Sequence, residues 1–159
     1  MAYLIGAYQY FDDSFLQSAS DYHKPNAGNQ TNDILINYWE MHHPKWLWIM
    51  RKAKRDLYFQ NDSGHQYTIF VPDEDTFTQT DLMNLDIQYC LHLFNTHVIH
   101  GKIDCPVLHS SAFQQLSTLE YGEFLFVQDA KRVNDDWLII KSDIQIANIT
   151  IHIIKYVAA

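Results

Sequence analysis

An α+β fold is predicted for this 159-residue chain, with helices in its first half and a wedge of short strands in its second. Two observations predict it. Apolar residues recur at helical spacing between residues 32 and 94, as in Trp46, Ile49, Met50, Ala53 and Leu57. From residue 116 onward the pattern changes to brief β-branched and aromatic runs punctuated by turn residues. A chain of this length buries roughly two thirds of its unfolded surface, enough for one core without covalent staples.

The elements follow in order. Residues 1–31 combine an aromatic segment (Tyr3, Tyr8, Tyr10, Phe11, Phe15, Tyr22) with a turn-rich run from Lys24 to Thr31, and read as an arm and linker ahead of a domain spanning 32–159. Thr31-Asn32-Asp33 is expected to cap a short helix that ends at His43-Pro44. Pro44 opens a second helix, whose pattern continues through Leu57-Tyr58-Phe59-Gln60. On its outer face Trp48 is expected beside Arg51 and Arg55 as an exposed contact point, and Tyr8, Tyr10 and Phe11 are the corresponding anchors of the arm. Tyr67 to Val71 reads as a strand bounded by Pro72. A helix starting at Asp81 carries apolar residues on both faces and is expected to be buried nearly all round. Strands are expected at Thr118–Glu120, Phe124–Val127, Trp137–Ile140, Ile144–Ile146 and Ile149–Val157, with turns at Tyr121-Gly122 and Asn134-Asp135-Asp136.

The formal net charge is −8, which argues against nucleic acid as the partner. The basic exception, Lys45, Arg51, Lys52, Lys54 and Arg55 within eleven acid-free residues, reads as a solvated helix face, with phosphate or acidic-protein contact as the alternative. Two cysteines, Cys90 and Cys105, exclude a disulfide framework and are expected to be thiols. The N-terminus lacks a basic n-region and no run approaches the ~18 apolar residues of a membrane span, so neither export nor membrane insertion is expected. An intracellular or virion location is favoured on that ground. Three sequons occur, at Asn29, Asn61 and Asn148.

Four segments in order resemble the fasciclin-like domain family over most of residues 33–157. Thr68-Ile69-Phe70-Val71-Pro72-Asp73-Glu74-Asp75-Thr76-Phe77 is similar to the family's first motif, and Thr96-His97-Val98-Ile99-His100-Gly101-Lys102 to its Tyr-His-Val-Val-Pro-Gly-Lys segment. The hairpin Leu116–Leu119 with Gly122–Val127, and the closing run Asp143 to Val157, resemble the remaining two. Here Thr96 stands for the family's Tyr, His100 for its Pro and Ile149 for its Gly. The resemblance implies a non-enzymatic adhesive module in which Phe70, Pro72, Thr96, His97 and His152 form the structural and adhesive motif.

The competing chemistry is thin. His92, His97, His100, Cys105 and His109 fall within eighteen residues, yet match no compact zinc spacing, so neither metal nor cofactor is expected. His152 is expected to be a satisfied core histidine. Asp73-Glu74-Asp75 reads as a helix start, and Ser110-Ser111 lacks a nucleophile elbow. The expected function is protein–protein interaction with neighbouring subunits of an assembly, such as a minor capsid protein of a large virus. A matrix-type cell-adhesion domain, or a domain binding glycan or a small ligand, is the alternative.

Overall fold

The computed structural model describes residues 30–59, 64–104, 114–129, 132–134 and 136–157. The arm anchors Tyr8, Tyr10 and Phe11 therefore lie outside the described residues. Helix α1 (Gln30–His42) begins ahead of the expected capping run and crosses the expected 31/32 boundary in its first turn. Helix α2 (Pro44–Lys52) follows after one residue, with Pro44 in its first turn, where a missing N–H costs nothing. His43 joins the two helices: its N–H donates to Trp39 O at 2.8 Å and its carbonyl accepts from Leu47 N at 3.0 Å.

Helix α2 departs from the expected amphipathic pattern. Trp46 through Arg51 are all buried, because α1 covers one side while the rest packs into the core. The helix also stops earlier than its apolar spacing predicts. Lys54 takes a left-handed φ of 59°, its N–H donates to Arg51 O at 3.0 Å, and Arg55 N–H donates to Met50 O at 2.8 Å. This paired closure satisfies two terminal carbonyls and turns the chain, so Leu57–Phe59 lie in turns.

Strand β1 (Tyr67–Pro72) is buried along its whole length. A 3-10 turn (Glu74–Thr76) follows, then α3 (Gln79–Asn84) and α4 (Ile87–His97). The single helix expected from Asp81 is thus two. Thr78 and Asp81 cap α3 reciprocally, at 3.0 Å and 2.9 Å, and Asp86 caps α4 by accepting from Tyr89 N at 2.7 Å. A second cap in mid-sequence is what breaks the helix. Nor is α4 buried all round: Cys90, Leu93, Phe94 and His97 face inward, while Ile87 and Tyr89 are exposed.

The remaining strands are β2 (Val98–His100), β3 (Gln114–Ser117), β4 (Phe124–Asp129), β5 (Arg132–Val133), β6 (Trp137–Ile146) and β7 (Ile149–Tyr156). They form one sheet in the order β2-β1-β7-β6-β5-β4-β3, with β1 parallel to β7 and the other pairs antiparallel. The strand expected at 118–120 ends at Ser117, leaving Thr118 in a lone bridge to Ile99. The runs expected at 137–140 and 144–146 are one strand, bent by irregularities between Ile139 and Ile144, with Asp143 at φ 62°. Ile149 fills the family's glycine position without strain, since the left-handed residue of that turn is Ala147.

The Ile99–Thr118 bridge and the Leu119 N–H bond to Val98 O at 3.1 Å bring the two edges of the sheet together. The curled sheet encloses one core (Phe70, Ile99, Leu125, Val127, Val133, Trp137, Ile154), and the helices pack a second against its other face. Alternation along β1 and β7 feeds both: Ile69, Val71, Ile149 and Ile151 point to the helices, while Phe70 and Ile154 point into the curl.

Candidate functional site

The basic segment is absorbed by the fold. Lys45 Nζ donates to the carbonyls of Glu74 (2.8 Å) and Phe77 (2.7 Å), and Lys52 Nζ donates to Leu85 O. Arg51 is buried beside Asp56 (3.8 Å) and Glu40 (3.7 Å). Arg55 is half-buried and reaches Lys54 O at 3.2 Å. Trp48 is only 6% exposed, with the Lys52 ammonium 4.9 Å from its ring centre. The expected outer face of Trp48, Arg51 and Arg55 is therefore not an exposed patch. Nor is the whole segment a solvated helix face: Lys45 holds the turn after β1, Arg51 the turn after α2 and Lys52 the junction of α3 and α4, while Lys54 is exposed, a division that spacing along one helix does not reveal.

The family-motif residues converge in the interior. His97, at the C-terminal end of α4, is fully enclosed, and its Nδ1–H donates to Leu93 O at 2.7 Å. Nε2 is then the acceptor, receiving the Tyr156 hydroxyl at 2.6 Å. The ring stacks on Trp137 at 4.4 Å and lies 5.9 Å from Trp46, so it links the two cores. Burial pushes the imidazole down to about 4 and pushes the Tyr156 phenol up, which keeps both neutral at neutral pH. Thr96 Oγ1 bonds back to His92 O at 2.9 Å and sits 3.1 Å from His97 Nδ1. His152 is buried opposite Phe70, their rings 5.3 Å apart, with Nε2–H donating to Ile103 O at 2.6 Å and Nδ1 accepting from Asp143 N at 3.3 Å. Burial holds it below its ordinary value as well. Phe70 touches Trp137 at 6.2 Å, closing the chain from His152 to His97, while Pro72 ends β1 nearby. Trp137 and Tyr156 were legible only as strand residues; nothing in their spacing marked them as the partners of His97.

A family model described as Fasciclin domain matches residues 46–158. The chain belongs to the fasciclin domain family. No curated protein matches it.

Fasciclin domains are in general adhesion and protein-interaction modules, and the interior of this one accounts for its motif residues as architecture. Among the described residues, the histidines that lie close in sequence do not converge. His97 points inward, His92 pairs with Glu120 at 3.6 Å, and His100 lies against Tyr67, while Cys105 and His109 lie outside the described residues. Among the described residues no three His, Cys, Asp or Glu side chains form a metal-holding group, and no helix is long and apolar enough to cross a membrane. The Cys90 thiol is buried and pushed up to about 11 by desolvation, which makes it a poor nucleophile.

Among the described residues of this fasciclin domain, two surfaces combine side chains suited to binding. On β4, Leu125 and Val127 point into the curl, which turns Phe124 (38% exposed) and Phe126 (37%) outward, next to the fully exposed Tyr121. At the opposite edge of the sheet, His65, Gln66, His100, Gly101 and Asn148 line an open cleft of about 540 Å³.

Proposed function

We propose that this fasciclin domain is a non-enzymatic interaction module that cements neighbouring protein subunits of a larger assembly, such as a viral capsid. The observation that carries the reading is a division of labour between the interior and the surface. The polar groups of the family motif are engaged inside the fold, whereas large aromatic side chains of β4 and the preceding turn stand at the surface. Aromatic anchors of this kind supply most of the energy of protein interfaces. His97, His152 and Cys90 are enclosed, so none of these three groups meets a substrate.

The test is cross-linking of the protein in its native source, comparing the parent with a Phe124→Ser/Phe126→Ser variant and with a chain lacking residues 1–29. Loss of a defined, identified neighbour in the double variant, with folding intact, supports the β4 surface. Retention there and loss on truncation moves the contact to the arm. A chain that is monomeric and without neighbours in its source overturns the cementing role.

A further inference from the structure

The cleft at the β1–β2 edge brings together groups that no motif in the sequence relates. Tyr67 pairs with His100, and the ladder extends one step further through the Gly101 N–H bond to Gln66 O at 2.7 Å. His65, two residues before Tyr67, thereby falls on the same face as His100 as its diagonal neighbour across the pair. The two imidazole centres are 5.3 Å apart with their planes at 41°. Both side chains lie at the surface, so a ligand can reach them.

A third group comes from the turn between β6 and β7. The parallel pairing of β1 with β7 sets Asn148 against this edge: its carbonyl accepts from Tyr67 N at 3.1 Å, and its Nδ2–H donates to His65 O at 3.1 Å. That second bond fixes which way the amide points. The remaining atom, Oδ1, is buried and has no hydrogen-bond partner, and Asn148 lines the same cleft. A buried acceptor without a donor is destabilising, and a bound cation or donor offsets that cost.

We propose that this cleft binds one divalent transition-metal ion of the zinc, copper or nickel kind, held by the imidazoles of His65 and His100 with Asn148 Oδ1 as an oxygen donor. Imidazole nitrogens select such ions over calcium or magnesium, which prefer oxygen alone. No carboxylate or thiolate completes a three-ligand group among the described residues, so the amide oxygen is the available third donor and a further position stays open to water or to a partner's side chain.

The experiment is calorimetric titration of the full chain, free of any purification tag, with Zn²⁺ and Ni²⁺ separately. One ion per chain is expected, with at least about tenfold weaker binding in His65→Gln and in His100→Gln. Asn148→Asp, which places a carboxylate oxygen where the orphan acceptor sits, should tighten binding. The histidine variants alter surface side chains and decide the matter even where the Asn148 variant misfolds. Absence of saturable binding, or binding unchanged in both histidine variants, overturns the site.

Discussion

The Tyr156 hydroxyl donates a 2.6 Å hydrogen bond to Nε2 of His97, a residue 59 positions earlier, and so ties the last strand to the end of α4. The bond exists only while the imidazole is neutral, because protonation removes the acceptor. It therefore links the stability of the two cores to pH.

His97 and His43 both titrate near 4 in the folded chain against 6.5 when unfolded, each lowered first by burial. Between pH 6.5 and 4 the unfolded chain binds more protons, so their contribution, up to about 3 kcal/mol each, is present above 6.5 and lost as the pH falls. Glu74 acts oppositely: burial raises its carboxyl from 4.5 to about 7, so stability declines as the pH rises between those values. The two slopes offset one another in the parent. Urea unfolding at pH 5 and pH 8 should show Glu74→Gln gaining stability over the parent at pH 8, and His97→Gln losing less than the parent on acidification. An unchanged pH profile in both variants would contradict the assignment.

Arg51 and Asp56 are both buried and 3.8 Å apart. Arg51→Met leaves the Asp56 carboxylate charged and enclosed and should cost about 3–5 kcal/mol; Asp56→Asn should cost less, because Glu40 still faces Arg51, with the double variant less destabilised than the sum. Chemical denaturation of the three variants checks this. Additive losses would show that the two side chains do not act as a pair.

Lys45 and Lys54 belong to one basic run but have different surroundings. Lys45→Met removes donors from the carbonyls of Glu74 and Phe77 and should cost about 1–3 kcal/mol. Lys54→Met, at an exposed side chain, should stay within about 0.5 kcal/mol. Equal midpoints for the two in urea would return the run to a solvated face.

The sequon at Asn148 is predicted to remain unmodified. Thr150 is 1% exposed and bonds Gln145 Oε1 at 3.0 Å, and the Asn148 amide is tied to His65 O. Secretion from a glycosylating host followed by mass spectrometry of the Asn148 peptide tests it. A glycan there on folded protein would show that the turn opens.

Much of this fold was legible along the chain, because its signals are local. Pro44 placed the start of α2, the β-branched run at Tyr67–Val71 placed β1, and Gly122, at φ 81°, placed the hairpin turn. The four ordered motifs identified the family, whose model covers residues 46–158. The expected apolar stripe Trp46, Ile49, Met50 and Ala53 is buried, but the periodicity of an element misplaced side chains on its other faces. Trp48 and Arg51 were assigned to an outer face and are buried, because α1 and the turn at Asp56 cover that side of α2. Ile87 and Tyr89 were assigned to the interior and are exposed, because Asp86 starts a new helix and resets the phase.

By itself the sequence determined the α+β class, the order of most elements and the family, since capping, turn chemistry and alternation act over a few residues. Only the tertiary structure decided which charges are tethers, that His97 meets Tyr156, and that His65, His100 and Asn148 share a cleft. The tethers of Lys45 reach 29 and 32 residues along the chain, and the His97 and cleft relations cross 35 to 83, the latter arising when the sheet curls and sets β7 parallel beside β1, a pairing that no local pattern in either strand encodes.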